Sequence, residues 1–476
     1  MNDKPLVLDV DGTFLATDML LECFWAGLGR APAATLAASL RHVSRPERLK
    51  AELARIAGLR TALLPVNAEV AALAGTALAE GREVVLASAS DRSLVARLAA
   101  DHGLSGRVFA SSEGENLKGA RKAAALVAAY GEGGFDYAGN APVDRKVWAH
   151  AATAIVVGDA ASANRLEAAG QPVMRLPGGW RPADLARAAR PHQWVKNLLL
   201  FLPLLAGHVF VPGPWIAALI GLVAFSLAAS SIYMINDLLD LEADRLHPTK
   251  RHRPFASGKV PIGVGMAASV ASGLAALILA GTLGWPMLAI VMLYMALSLT
   301  YSLKLKRLRW IDIATLAALY TIRVVAGALA AGVAMSIHLA AFVFPVFIAL
   351  GAVKRITELT LAATDDRLPG RGYGRSDRDD LLNVAVLGMV GALLSFALYG
   401  FTDQARALYP TRLWLWLALV PIALWLLRMI RMGWLGKQDY DPIVFALTDK
   451  RGLGLLMIAL ALMFQAARLW GGWLGL

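Results

Sequence analysis

Beyond about residue 190 this chain consists largely of apolar runs near 20 residues long, such as PWIAALIGLVAFSLAASSIYMI and VGMAASVASGLAALILAGTLG. A helix needs about that length to cross a hydrocarbon core of roughly 30 Å. The pattern predicts an all-α membrane bundle of about nine spans, near 194–211, 215–235, 262–283, 286–302, 311–331, 337–353, 383–401, 412–431 and 453–472. Before residue 190 charged and apolar residues alternate, as in a soluble domain. The chain has 476 residues, more than one ordinary domain, and is 57% hydrophobic, above what soluble proteins carry.

Charge placement orients the spans. With the N-terminus inside, the inward loops are 236–261, 303–310, 354–382 and 432–452, and they hold most of the lysines and arginines of this half. The opposite loops, such as GHVFVPGP and GTLGWP, hold almost none. That is the positive-inside distribution. It accounts for the net charge of +12 without nucleic acid as a partner. A single cysteine, Cys23, excludes an intrachain disulfide, and MNDKPLVLDVDGT lacks a signal-peptide pattern. The expectation is a multi-pass protein of the inner (plasma) membrane, with its N-terminal domain and active sites cytoplasmic.

The inward stretch 236–258, NDLLDLEADRLHPTKRHRPFASG, sorts its charges by sign. If the second span continues through the acids, Asp237, Asp240 and Asp244 stand at i, i+3 and i+7, within about 60° on one face. Carboxylates so placed repel unless cations bridge them. Oxygen ligands with phosphate partners point to Mg²⁺. Lys250 and Arg253 would then take the outer oxygens of a diphosphate. The plainer alternative is a solvated, charge-balanced loop.

N-D-x-x-D-x-x-x-D followed by R-P-F-A-S-G resembles the first aspartate-rich motif of the UbiA-type intramembrane prenyltransferase superfamily. The resemblance extends over about residues 185–476. It implies a helical bundle around a cytoplasm-facing polar cavity, with Asn236 among the substrate-binding residues. RPHQWVKN (190–197), EADRLHPTKRHRP and YSLKLKRLRWID (301–312) are similar to a subgroup that moves phosphoribose from phosphoribosyl diphosphate onto a polyprenyl phosphate. On that resemblance Lys196 and Asn197 contact a lipid phosphate, and Tyr301, Lys306 and Asp312 bind substrate. Arg323 lies eleven residues beyond Asp312, deep in the membrane, where an arginine is a functional candidate by default. Lys354 and Arg355 of KRITEL are candidates for the 5-phosphate. QDYDPIVFALTDKRG (438–452) receives no chemistry.

In the soluble half, VLDVDGTF (7–14) is a short apolar strand ending in Asp-x-Asp-Gly-Thr. It resembles the first motif of haloacid-dehalogenase-type phosphatases, in which the first aspartate attacks phosphorus and the second protonates the leaving oxygen. The roles fall on Asp9 and Asp11. Further along, EVVLASAS offers Ser88 for phosphoryl oxygens, and NLKGARKAAAL offers Lys122, with Lys118 as a rival. FDYAGNAPVD offers Asn140 and Asp144 as metal ligands beside Asp9 and Asp11. Asn140 departs from the aspartate frequent in that family. Alternating strands and helices imply a doubly wound parallel sheet, and amphipathic segments between about 15 and 75 suit a helical cap.

The reading is therefore two-domain. Residues 1–175 form an α/β phosphatase-like domain, 176–193 a linker with an interfacial helix, and 194–476 the transferase bundle. The expected activity is phosphoribosyl transfer to polyprenyl phosphate, followed by removal of the 5-phosphate, with Mg²⁺ as cofactor. The expected partners are the two substrates and membrane lipid, and the pattern is compatible with a homo-oligomer. The rival readings are an aromatic prenyltransferase using a prenyl diphosphate and a non-enzymatic lipid-phosphate binder or transporter.

Overall fold

A computed structural model describes residues 3–112, 114–362, 372–438 and 441–470. The chain divides into two compact units: Met1–Ala189 with Tyr233–Ser269, and Arg190–Ile232 with Val270–Leu476.

The first unit is organised by six parallel strands: β1 (Leu6–Asp9), β2 (Val84–Asp91), β3 (Val108–Ser111), β4 (Asp136–Gly139), β5 (Thr153–Val157) and β6 (Val173–Leu176). Their order is β3-β2-β1-β4-β5-β6. Successive side chains of a strand face opposite sides of the sheet. Leu6 and Leu8 accordingly join one buried cluster, and Val7 joins another with Tyr137 and Trp148. Both faces are covered, as a parallel sheet requires. The order reverses between β1 and β4, which leaves a crevice at the strands' carboxyl ends, where ligands bind in such sheets.

Between β1 and β2 the chain inserts α1 (Met19–Arg30), α2 (Pro32–His42), α3 (Pro46–Ala57) and α4 (Ala68–Ala79). Local chemistry sets their limits. Asp18 caps α1 by accepting from the Leu21 N–H, Asn67 caps α4, and Pro32 and Pro46 open α2 and α3. After β3, α5 (Ala120–Tyr130) carries Lys122.

Residues 233–269 complete this unit. They are the end of α6 (Pro212–Leu239), α7 (Leu241–Leu246), a return loop and the start of α8 (Ile262–Thr282). Trp25 of α1 and Ala188 pack with Met234, Leu238, Leu241, Phe255, Val260 and Ile262. The expected unbroken helix through the acids does not form. It stops at Asp240 (φ −101°, ψ 14°) and restarts as α7. Aspartate side chains compete for nearby backbone groups and favour helix ends over interiors. The Asp244 N–H still reaches the Asp240 carbonyl at 2.8 Å, so the break is a kink and not a turn-out.

The second unit continues with α9 (Trp285–Leu303), α10 (Ile311–Ala331), α11 (Ile337–Thr360), α12 (Arg378–Tyr399), α13 (Arg412–Trp434), α14 (Pro442–Thr448) and α15 (Lys450–Ala466). Among the described residues seven helices, α6 and α8–α13, are long and apolar enough to cross a membrane. Val270, Leu274 and Ile278 form an exposed apolar stripe at i, i+4 and i+8 on α8, the face a lipid would cover.

Of the nine expected spans, seven appear as helices of spanning length among the described residues. The stretch read as span one is a 3₁₀ segment, Pro191–Phe201, followed by a five-residue helix, Leu202–Ala206. Pro191 and Pro203 interrupt the helical ladder. The segment also lies tightly on α10, since a Cβ at Gly327 would collide with the Leu200 carbonyl oxygen. The last expected span is the 17-residue α15, and residues 471–472 of that expectation lie outside the described residues. Residues 354–359, expected at the start of a polar loop, are the final turns of α11. Segment 363–371 of that loop lies outside the described residues.

Candidate functional site

Chemistry-bearing side chains gather in three places. The first is the crevice at the end of β1. Asp9 is buried, and its Oδ1 accepts from Lys122 Nζ at 2.5 Å. Lys122 also donates to Tyr137 Oη (3.0 Å), and the Tyr137 hydroxyl donates to Asp144 Oδ1 (3.0 Å). Asp144 Oδ2 accepts the N–H groups of Asn140 and Ala141 at 3.2 and 3.0 Å. Asp11 accepts from Ser88 Oγ (3.1 Å), Ser90 Oγ (2.8 Å) and the Met19 N–H (2.8 Å). The sequence left Lys118 as a rival to Lys122; Lys118 is exposed, and the buried Lys122 makes the contact.

Gly12 shows why the turn reads Asp-x-Asp-Gly-Thr. Its φ is +76°, and a Cβ there would strike Asn140 Nδ2. The Thr13 hydroxyl in turn donates to Asn140 Oδ1 at 3.2 Å.

Three carboxylates, Asp9, Asp11 and Asp144, surround the Lys122 ammonium. Burial, together with Asp144 and Asp11, pushes Asp9 up to about 7 against the pull of Lys122. Burial opposes the charge on Lys122 as well, but Asp9 and Asp144 hold its pKa above the ordinary value. Among the described residues no three His, Cys, Asp or Glu side chains converge as metal ligands.

The second gathering is the aspartate loop. Asp237 and Asp244 are both buried, and one guanidinium lies between them: Arg253 Nη1 is 3.1 Å from Asp237 Oδ1 and 2.7 Å from Asp244 Oδ2. The sequence placed Arg253 on the outer oxygens of a diphosphate, and the structure has it on the carboxylates themselves. Burial lifts the pKa of Asp244 although Arg253 opposes it. Asp240 stands half-buried at the kink, and Lys250 is exposed. Asn236 Oδ1 is buried without a hydrogen-bond partner among the described residues.

The third gathering lies in the second unit. Arg355 and Asp312 are fully buried and joined by two bonds, Nε to Oδ2 at 2.5 Å and Nη2 to Oδ1 at 2.9 Å. Arg355 Nη2 also donates to Tyr301 Oη (2.8 Å), the Tyr301 hydroxyl donates to Asp312 Oδ1 (2.9 Å), and Arg355 Nη1 donates to Glu358 (2.5 Å). The guanidinium is thus committed to protein partners.

Lys196, on the 3₁₀ segment, is ion-paired with Asp441. Burial would raise the Asp441 carboxyl, yet the ammonium groups of Lys196 and Lys354 hold it below its ordinary range. Deeper along α10, Arg323 Nε donates to Asn197 Oδ1 (2.9 Å) and Nη2 to Tyr294 Oη (3.0 Å), with the Tyr294 ring beneath it. Lys306 sits half-buried on a single turn, Leu305–Arg307. A separate cavity of about 210 Å³, with His208, His338, Tyr399 and Tyr409 in an apolar wall, opens at the other ends of α10 and α11, away from these charges.

The UbiA prenyltransferase family model matches residues 198–448. The chain belongs to that family. An uncharacterized Sinorhizobium fredii protein is 33% identical over 94% of this chain and 88% of its own length. A Corynebacterium glutamicum protein named decaprenyl-phosphate phosphoribosyltransferase is 34% identical over 60% of this chain and 86% of its own. Among solved structures, a UbiA homologue from Archaeoglobus fulgidus bound to GPP and Mg²⁺ has a TM-score of 0.45 and 14% identity, covering 59% of this chain and 99% of that one. With seven apolar helices of spanning length among the described residues, this UbiA-family chain is a multi-pass membrane protein. The family match includes the aspartate loop and the Asp312–Arg355 pair, and it begins just after Asn197.

Sequence reasoning missed Asp441, Lys50 and Tyr137. Asp441 precedes Pro442 and caps α14, a helix-start signature that was legible, but its pairing with Lys196 spans 245 positions and was not. Lys50 of α3 reaches the Ala89 carbonyl at 2.6 Å, beside Ser88 and Ser90, and nothing in its local sequence marks it.

Proposed function

We propose that this protein transfers 5-phosphoribose from phosphoribosyl diphosphate to a polyprenyl phosphate and then removes the 5-phosphate, giving polyprenyl-phosphoryl ribose. The transferase reading draws on the C. glutamicum relative, matched over most of its length. The observation that carries the second step is the convergence of Asp9, Asp11, Ser88, Lys122 and Asp144 at the carboxyl ends of a doubly wound sheet in the same chain. Residues 1–175 act as a phosphatase of the haloacid-dehalogenase type, 176–193 as linker and 194–476 as transferase. Both centres work on the cytoplasmic side of the inner membrane.

In the transfer step a lipid phosphate oxygen attacks C1 of the ribose, and the C1–O bond to diphosphate breaks. The nucleophile is already anionic at pH 7, so positioning and charge stabilisation do most of the catalysis. Lys196 and Lys354, gathered by Asp441, are assigned to the lipid phosphate, and Arg253 and Lys250 to the diphosphate. Asp237, Asp240, Asp244 and the unpartnered carbonyl of Asn236 are hard oxygen donors, the kind Mg²⁺ takes together with phosphate oxygens. Mg²⁺ bound there would offset the charge developing on the diphosphate.

In the second step Asp9 attacks phosphorus, and the P–O5 bond breaks. Asp11 gives its proton to the ribose oxygen, and water then cleaves the aspartyl phosphate. Ser88 and Lys122 hold the phosphoryl oxygens. Asp9, Asn140 and Asp144 would hold Mg²⁺ with side-chain oxygens and Asp11 with its backbone carbonyl, which leaves the Asp11 carboxyl to carry the proton. Mg²⁺ commonly uses only one or two carboxylates plus phosphate, which suits a site without a full protein cage.

The test is incubation of the full chain with Mg²⁺, labelled phosphoribosyl diphosphate and polyprenyl phosphate, followed by mass analysis. Dephosphorylated lipid-linked ribose and free diphosphate are expected. Turnover of a prenyl diphosphate with an aromatic acceptor in their place, or no diphosphate release at all, overturns the proposal.

A further inference from the structure

Glu22 lies in α1, one turn from Asp18, and its side chain is 1% exposed. A buried carboxylate needs a counter-charge, and Glu22 finds it 223 positions away. Arg245 Nη2 is 2.5 Å from Oε1 and Nη1 is 3.0 Å from Oε2, a bidentate pair. The Thr17 hydroxyl donates to Oε1 at 2.7 Å. Arg245 directly follows Asp244, and its Nε donates to the Ala256 carbonyl at 3.0 Å. One guanidinium therefore ties the acidic limb of the aspartate loop to the basic limb that carries Arg253.

The surroundings show that this contact is built in. Gly258 (φ +73°) lets the return loop touch Ala16, where a Cβ would come within 2.6 Å of the Ala16 Cβ. Arg60 holds Glu242 of α7 at 2.8 Å. In the same first turn of α1, Asp11 accepts the Met19 N–H. The insert after β1 thus joins the phosphatase-like crevice to the aspartate loop.

We propose that Glu22 is a positioning residue for the transferase centre: by pairing with Arg245 it holds the two limbs of the aspartate loop in the register that binds diphosphate. The N-terminal half is then a structural part of the transferase as well as its partner in sequence. The proposal rests on reading the aspartate loop as the diphosphate site, and its first test is independent of that reading.

That test is hydrogen exchange of the full chain in detergent, comparing wild type with Glu22→Gln. Amides of 241–258 are expected to exchange at least tenfold faster, with the strands unchanged. Unchanged exchange in 241–258 overturns the proposal whatever the enzyme does. The second test is kinetic. Glu22→Gln should raise the KM for phosphoribosyl diphosphate at least tenfold while kcat changes less than threefold. The double variant Glu22→Arg with Arg245→Glu should recover part of the KM. A parallel loss of kcat, KM and thermal stability, with no recovery in the double variant, would reduce Glu22 to a packing residue and also overturn the proposal. Faster exchange in 241–258 together with a wild type that releases no diphosphate would leave Glu22 as the organiser of the loop and would sink the functional reading alone.

Discussion

Replacing Asp312 with alanine removes the acceptor for two buried donors, Arg355 Nε and Nη2, and for the half-buried Tyr301 hydroxyl. Arg355 keeps Glu358 and the Tyr301 hydroxyl oxygen, but Nε faces a cavity. Hydrogen bonds to charged groups contribute about 1.5–3 kcal/mol each, and breaking a buried pair from one side costs about 3–5 kcal/mol. Two charged bonds and one hydroxyl bond are lost, so the upper part of that range applies. For a unit of this size the cost corresponds to a fall in melting temperature of roughly 8–20 °C. Removing both charges, as Asp312→Leu with Arg355→Met, leaves no uncompensated ion and should recover most of the loss. The assay is thermal unfolding of the single and double variants in one detergent at one scan rate, with phosphoribosyl transfer measured on the folded fraction. A single variant that melts within about 2 °C of wild type refutes the energetic argument, as does a double variant as unstable as the sum of the singles. Asp312→Asn that melts normally but transfers nothing would assign Asp312 to substrate.

Four further outcomes are expected. Asp9→Asn should still release diphosphate and make lipid-linked ribose, but the lipid should retain its 5-phosphate; a product of wild-type mass would separate the crevice from this intermediate. Arg253→Ala should raise the KM for phosphoribosyl diphosphate about tenfold or more, the equivalent of one charge-assisted bond, and an unchanged KM would leave Arg253 as a partner of the carboxylates only. Asp441→Asn should weaken use of polyprenyl phosphate more than use of the diphosphate, since Lys196 and Lys354 lose their shared anion; equal effects on both substrates would count against that assignment. Burial and the nearby Asp11 push Asp18 up to about 6 from 3.8, so the folded protein holds that proton more tightly than the unfolded chain and loses stability as pH rises from about 4 through 6. Asp18→Asn keeps the cap to Leu21 and removes that cost. Without added metal it should melt level with wild type at pH 4 and above it at pH 8, by up to about 3 kcal/mol; the opposite pH trend would show the sign to be wrong.

Local pattern was enough for much of the architecture. Apolar runs of spanning length exposed the membrane half, because a bilayer imposes one length on every crossing. Asp9 ends β1 and Asn140 follows β4, as expected for a sheet that gathers such residues at its strand ends, whereas Ser88 lies three residues inside the end of β2. The aspartate spacing marked Asp237 and Asp244 as companions, and they do share a partner. Tertiary structure decided what those charges touch. No periodicity says that Pro191–Phe201 lies as a 3₁₀ segment on Gly327, or that the helix kinks at Asp240. Nor does spacing say that Arg253 sits between two carboxylates, that Arg355 is spent on Asp312 and Tyr301, or that Glu22 meets Arg245 across 223 positions. Sequence signals report the conformational preferences of neighbours along the chain, whereas a buried charge is settled by whichever opposite charge the fold brings within about 3 Å, and that partner can come from anywhere in the chain.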